Sequence, residues 1–284
     1  MTQFLLNGQV ADQIELADRG LQYGDGFFTT IRLQYGRLQL WPLHWLRLTE
    51  SAQRLGFSCF AQVCEEANLL ADCQQLLSIQ SGDVKDGVVR ITVTRGAGGR
   101  GYASPDHAKY NVILGFSPLP RHYPGWRQHG ISLLVSDLRL GDQPMLNGLK
   151  TLNRLEQVLL KQDLAVQQAN HDVEDLLVLD QHGFVAECSA ANVLWCADGI
   201  WYTPQLSHGG VRGVALQAIT SELPVEQGDY PLEHLANAQH VLVCNALMGA
   251  VSVKRLVIDG TTERHFSVLS ELSKQLTKRI CANE

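Results

Sequence analysis

The chain has 284 residues and a formal charge of −6, from 23 Lys and Arg against 29 Asp and Glu. With 45% hydrophobic and 18% charged residues it can fill a packed core, which excludes a disordered chain. The acidic balance excludes a nucleic-acid backbone binder, and no apolar run nears the roughly 20 residues that span a bilayer.

The opening, MTQFLLNGQV, has no basic segment ahead of a long apolar one, so no secretory signal is expected. Residues 3–7 and 13–16 read as short strands around the Asn7-Gly8 turn. Strands are expected at 27–33 and 37–41, with glycines at 20, 24 and 26 ahead of the first. Leu43, Leu46, Leu48, Ala52 and Leu55 give an apolar helical face over 43–56, and a second helix is expected over 61–77. Gly82 and Gly87 bracket a charged turn before a strand at 88–95. A glycine-rich loop covers 96–101, and a strand is expected at 110–116.

Three of the nine prolines fall in SPLPRHYPGW, residues 117–126, the best linker in the chain. The expected organisation is a smaller N-terminal domain over 1–118, a linker over 119–126 and a larger C-terminal domain over 127–284. In the second domain, strands are expected at 131–136, 175–180, 184–187, 192–196, 200–203 and 240–244. Helices are expected at 152–169, 212–222 and 267–281. Strands and helices mix without regular βαβ alternation, which gives an α+β class.

The seven cysteines, Cys59, Cys64, Cys73, Cys188, Cys196, Cys244 and Cys281, are odd in number and form no CxxC pair. That is the usage of a reducing compartment, so a cytoplasmic protein is expected. The ten histidines show no metal-ligand spacing, and no metal is expected. Residues 96–101, GAGGRG, match GxGxxG. However, Pro105 follows closely, and Arg121 stands where a dinucleotide fold needs an acid.

Among seven lysines, Lys150 differs from the rest: it sits between Leu149 and Thr151-Leu152, where a glycine turn feeds a long helix. Two readings fit it locally. Apolar neighbours disfavour the charged form and would make the amine a nucleophile. Equally, its stem can lie over apolar surface with the charge in water. Alone, Glu187 reads as a strand-end surface acid and Arg47 as a solvated helix residue.

Seven segments, in chain order, resemble one family. They are DRGLQYGDGFFTTIR (18–32), HWLRL (44–48), VTRGAGGRGY (93–102), GLKTLNRLEQVLL (148–160), EDLLVLDQHGFVAECSAANVLW (174–195), GGVRG (209–213) and CNAL (244–247). Together they resemble the fold-type IV pyridoxal phosphate (PLP) enzymes. These include branched-chain and D-amino-acid aminotransferases and aminodeoxychorismate lyases. KTLNRLEQV, GGRGY and CNAL look most like the lyase members.

The resemblance implies a two-domain α+β fold with a smaller N-terminal α/β sandwich and a larger C-terminal pseudo-barrel. It implies PLP as cofactor, joined covalently to Lys150, the catalytic residue. Glu187 would lie under the pyridine nitrogen and keep it protonated. Arg47 would grip the phosphate, with backbone groups of Val211 and Arg212 and of Asn245 and Ala246 cradling it. Asn192 would support the site from behind.

Phe28, Thr29, Arg100 and Tyr102 would face the substrate, the last two from the partner subunit of a homodimer. Phe28 and Thr29 stand where D-amino-acid aminotransferases carry a tyrosine and an acid. The implied reaction converts the small molecule 4-amino-4-deoxychorismate to 4-aminobenzoate and pyruvate in folate biosynthesis. The rival readings are an aminotransferase of the same family and a non-catalytic ligand-binding protein with a decayed site.

Overall fold

A computed structural model of the chain describes residues 3–58, 60–80 and 84–281. The chain divides into two compact units. The first comprises residues 1–119 with 149–153, and the second comprises 120–148 with 154–284. The short segment 149–153, expected in the C-terminal domain, therefore clusters with the first unit.

The first unit holds β1 (Phe4–Leu6), β2 (Gln9–Ala11), α1 (Arg19–Tyr23), β3 (Gly26–Gln34), β4 (Arg37–Leu38), α2 (Trp41–Arg54), α3 (Phe60–Val63), α4 (Glu66–Ser78), β5 (Gly87–Thr94) and β6 (Asn111–Ser117). The strands form one antiparallel sheet, ordered β2-β1-β6-β5-β3-β4. Its core packs Phe27 and Ile31 of β3 and Val89, Ile91 and Val93 of β5 against Leu48 and Ala52 of α2 and Leu69, Cys73 and Leu76 of α4. The alternate inward residues of β5 follow the period of two that half-buried strands require.

The second strand of the opening hairpin is Gln9–Ala11, not 13–16, because Asn7 and Gly8 both take positive φ and return the chain at once. The five-residue α1, absent from the sequence reading, is capped by Asp18. Its Oδ1 accepts the amides of Gly20 (2.7 Å) and Leu21 (3.3 Å), and Gly24 ends the helix at φ +66°. Cys59 and Gly82 lie outside the described residues. The six described cysteines are buried free thiols.

The second unit holds α5 (Tyr123–His129), β7 (Ile131–Leu140), α6 (Leu155–Gln167), β8 (Asp175–Asp180), β9 (Val185–Cys188), β10 (Asn192–Ala197), β11 (Ile200–Pro204), α7 (Val214–Thr220), β12 (Val225–Gly228), α8 (Leu232–Ala236), β13 (His240–Asn245), β14 (Gly249–Val257), β15 (Glu263–His265) and α9 (Ser270–Ile280). A mixed sheet runs β12-β11-β10-β13-β14-β7-β8-β9, with β15 beside β14. The amide of Cys188 at the end of β9 donates to Ala191 O just before β10, 2.7 Å away, so the sheet curls back on itself as a half-barrel. Trp195, Val193, Val241, Val243, Val251 and Val253 fill its interior with Leu177 and Leu133.

Short β12, α8 and β15 were not expected, and three other features depart from expectation. The proline-rich linker closes into α5 from Tyr123, with Pro124 in the first turn where a proline's missing N–H is tolerated. The strand β14 was missed because Lys254 and Arg255 interrupt its apolar run. The long helix starts at Leu155 rather than 152. Among the described residues, no helix is long and apolar enough to cross a membrane.

Candidate active site

Lys150 is placed by strand pairing rather than by a helix. The Phe28 amide donates to Lys150 O (2.9 Å) and the Leu152 amide to Gly26 O (3.0 Å), with Thr151 bridged to Phe27 between them. Residues 150–152 thus run antiparallel along the start of β3, which is why the helix begins three residues late. The approach needs Gly26, since a Cβ there would lie 2.3 Å from Val93 O and 2.8 Å from the Leu152 side chain. Thr151 is buried, so alternation turns the Lys150 side chain to the other face. There its Nζ lies 4.8 Å from the centre of the Phe28 ring. The guanidinium carbon of Arg90 lies 3.8 Å from the same ring. Arg90 was not singled out in the sequence; its register opposite Thr30 on β3 brings it there.

The next residue of β3, Thr29, is fully buried and its hydroxyl lies 2.6 Å from His44 Nδ1. His44, Arg47, Leu48 and Ser51 form the buried face of α2 at the i, i+3, i+4, i+7 spacing. Arg47 is therefore not a solvated helix arginine. Burial pushes the His44 imidazole down to about 3, with the nearby charges of Arg47 and then Lys150 acting in the same direction. His44 is thus neutral at pH 7. Its Nε2 is buried and has no hydrogen-bond partner among the described residues. A neutral ring nitrogen left open beside two cations suits an anionic oxygen-rich group such as a phosphate.

Arg100 and Tyr102 are exposed, yet their loop is held in place. The buried Arg19 donates from Nη1 to Gly101 O (2.9 Å) and Ala103 O (3.1 Å), and from Nη2 to Tyr102 O (3.0 Å). Asp25 anchors both Arg19 (2.9 Å) and Arg95 (2.8 Å). The Tyr102 ring meets Tyr23 edge-on at 5.5 Å. One guanidinium satisfies the carbonyls that the glycine-rich loop exposes, so the loop presents Arg100 from a fixed base. Arg19 and Asp25 lie in the segment DRGLQYGDGFFTTIR, but no local signal ties them to a loop some eighty residues on.

In the second unit Glu187 lies on β9, one residue before its end, buried at 5% exposure. Its Oε2 accepts the Val211 amide at 2.8 Å, and Gln157 Nε2 donates to Oε1 at 3.4 Å. Burial lowers Arg154, and the attraction of Glu187 opposes that shift. Asn192 grips the loop before α7 from both sides. Its Nδ2 donates to Val211 O (2.8 Å) and its Oδ1 accepts the Gly213 amide (3.0 Å). Asn245 Oδ1 accepts the amides of Leu247 and Met248 in its own turn, and its Nδ2 donates to Ala190 O in the β9–β10 connection. Ala246 lies within that turn, so this loop would meet a phosphate through its backbone. The β9–β10 connection, the end of β13 and the loop before α7 converge at one end of the sheet.

The amides of Val211 and Arg212, expected to donate to a phosphate, both have protein partners here. The Val211 amide is committed to Glu187, and the Arg212 amide donates to Gly148 O at 3.1 Å. The helix expected to begin at 212 begins at Val214, and its first intrahelical bond runs from Gln217 to Gly213. The N–H groups that open the helix are those of Val214, Ala215 and Leu216. Arg212 itself is exposed. Gly213 is obligatory for a steric reason: a Cβ there would sit 2.0 Å from Asn192 Oδ1.

Each unit therefore carries polar groups of the kind PLP requires. The first has an amine, a buried arginine and an open imidazole nitrogen; the second has a buried carboxylate and a helix start.

The amino-transferase class IV family matches residues 26–256. The chain is 33% identical over 257 residues to the aminodeoxychorismate lyase of Vibrio harveyi, covering 88% of this chain and 90% of that one. The crystal structure of 4-amino-4-deoxychorismate lyase from Pseudomonas aeruginosa superposes with a TM-score of 0.82 at 32% identity, covering 98% and 97% of the two chains. A D-alanine aminotransferase of Staphylococcus epidermidis is 24% identical over 270 residues, 92% of this chain and 90% of its own. The chain belongs to the class IV aminotransferase family, the fold-type IV PLP enzymes.

Proposed function

We propose that the protein is a PLP-dependent aminodeoxychorismate lyase that converts 4-amino-4-deoxychorismate to 4-aminobenzoate and pyruvate. The observation that carries this reading is the pairing of Lys150 and Arg90 on the Phe28 ring. It sets a guanidinium, suited to a substrate carboxylate, beside the reacting amine. The higher identity to the two lyases than to the D-alanine aminotransferase supports the same choice.

Bound PLP would supply an electron sink for the substrate carbon that loses its proton. Lys150 would hold the cofactor, with Arg47, His44 Nε2 and the amides opening α7 taking its phosphate and Glu187 its ring nitrogen. Once released, the Lys150 amine takes the proton from C4 of the substrate. The C–O bond to the enolpyruvyl group breaks and the ring becomes aromatic. The proton on Nζ then passes to the methylene carbon of the departing fragment, which leaves as pyruvate. Aromatisation drives the step, so the chain's main task is to orient the substrate. The buried Thr29–His44 pair sets the wall next to the amine without adding charge.

The enzyme is further proposed to be a cytoplasmic homodimer, with Arg100 and Tyr102 of each chain closing the partner's site on the second substrate carboxylate. Incubation with enzymatically made 4-amino-4-deoxychorismate should release 4-aminobenzoate and pyruvate in equal amounts. An amino acid and a keto acid should not exchange amino groups at a comparable rate. Rapid exchange without 4-aminobenzoate would assign the protein to the aminotransferases instead.

A further inference from the structure

Four further side chains, from four separate loops of the second unit, meet at the surface. They are Asp142 just beyond β7, His182 in the β8–β9 turn, His208 between β11 and α7, and Asp229 after β12. Asp142 Oδ2 lies 2.9 Å from His182 Nε2, and Asp142 Oδ1 lies 3.8 Å from His208 Nδ1. The two imidazole rings are 4.2 Å apart, centre to centre. One ligand atom from each of Asp142, His182 and His208 falls within 4.8 Å of the other two. A tetrahedral ion with N and O ligands at about 2.0–2.2 Å holds them roughly 3.3–3.6 Å apart. Small rotations of these partly exposed side chains would close the difference.

The loops themselves are fixed. The Gln143 amide donates to His208 O at 2.8 Å, which ties the Asp142 loop to the His208 loop. Asp180 Oδ1 accepts the amides of His182 and Phe184 at 2.9 Å each and sets the turn that carries His182. A second observation points the same way. The far nitrogen of His208, Nε2, faces Asp229 Oδ2 at 4.0 Å, and Gln205 Nε2 holds that carboxylate at 2.7 Å. A metal-bound imidazole usually donates its other nitrogen to a carboxylate, and a small approach of Asp229 to hydrogen-bond distance would supply that partner for His208.

We propose that Asp142, His182 and His208 bind a divalent transition-metal ion of the zinc class, with Asp229 orienting His208 and one coordination position left to water. Two imidazoles and a carboxylate favour zinc over magnesium or calcium, which take oxygen ligands. None of these four residues is among those assigned to PLP, although His208 immediately precedes the Gly209–Gly213 loop.

The test uses the full-length protein after chelator treatment and dialysis. Titration with Co²⁺ should give the visible bands of a four- or five-coordinate ion at one equivalent per chain, and Zn²⁺ should displace it while Mg²⁺ does not. His182→Ala and Asp142→Asn should each weaken binding by about tenfold or more, and Asp229→Asn by about 10- to 100-fold through His208 alone. Circular dichroism and the metal-free melting temperature confirm that each variant folds. Wild-type protein that shows no saturable Co²⁺ or Zn²⁺ binding overturns the proposal. So does His182→Ala protein that binds with wild-type affinity, because the ion would then sit elsewhere.

Discussion

Replacing Glu187 by glutamine removes one charge and keeps the shape of the side chain. In the native protein Glu187 Oε2 holds the Val211 amide at 2.8 Å, while Oε1 faces Gln157 Nε2 at 3.4 Å. The other end of the Gln157 amide, Oε1, is buried with no hydrogen-bond partner among the described residues. In the variant the glutamine oxygen keeps Val211. Its new NH₂ meets Gln157, which needs only to turn its amide over to accept. The loop before α7 therefore stays in place, and what is lost is the charge proposed to face the cofactor's ring nitrogen. A hydrogen bond to a charged group contributes about 1.5–3 kcal/mol. Felt in the transition state, that is a fall in kcat of about 10- to 150-fold. Cofactor content read from visible absorbance and 4-aminobenzoate formation at saturating substrate measure the two effects separately. The expected result is full cofactor content with slow turnover. Unchanged kcat with cofactor bound would show that Glu187 does not face the ring. A large drop in melting temperature would show that it acts only as the anchor of Val211.

Lys150→Ala should abolish turnover, and borohydride reduction of the wild-type protein followed by peptide mapping should mark Lys150; a mark on another lysine would move the site. Gly213→Ala drives Asn192 out of its place and breaks its bonds to Val211 O and Gly213 N. Stability should fall by about 1–3 kcal/mol in urea titration and the Kd for PLP should rise, since the start of α7 is displaced. His44 makes cofactor-free protein acid-sensitive. Its folded value near 3 lies below the unfolded value of 6.5, so the unfolded state binds more protons between those limits. Stability is then fully present above pH 6.5 and falls with pH, by about 2 kcal/mol at pH 5. Denaturant titrations at pH 7 and 5 should show this slope, and His44→Asn should flatten it; equal slopes would refute it. Arg100→Ala should raise KM without changing the cofactor spectrum. Heterodimers of Arg100→Ala and Lys150→Ala chains should regain wild-type KM in one site; a KM that stays raised would place the loop in its own chain's site.

The sequence by itself determined the α+β class and most strands, and the family resemblance it carries pointed to Lys150, Glu187 and Arg47. Those are local properties. DLLVLD and VVRITVTR alternate or run apolar over the length of a strand, and the family segments carry their residues at fixed spacing. Where local signals ended, the reading slipped. GGVRG looked like the start of a helix, yet the helix opens at Val214. Asn192, some twenty residues earlier in the chain, claims the Gly213 amide and Glu187 claims that of Val211. TLNRLEQVLL looked helical from 152, yet pairing with β3 holds residues 150–152 extended and fixes where the Lys150 amine stands. The neutral His44, the Arg19 clasp on the glycine loop, Arg90 on Phe28 and the Asp142–His182–His208 cluster all join residues far apart in the chain. Hydrophobic periodicity records which face of an element is buried. It carries no record of which distant polar group will meet that element, and only the tertiary structure decides those meetings.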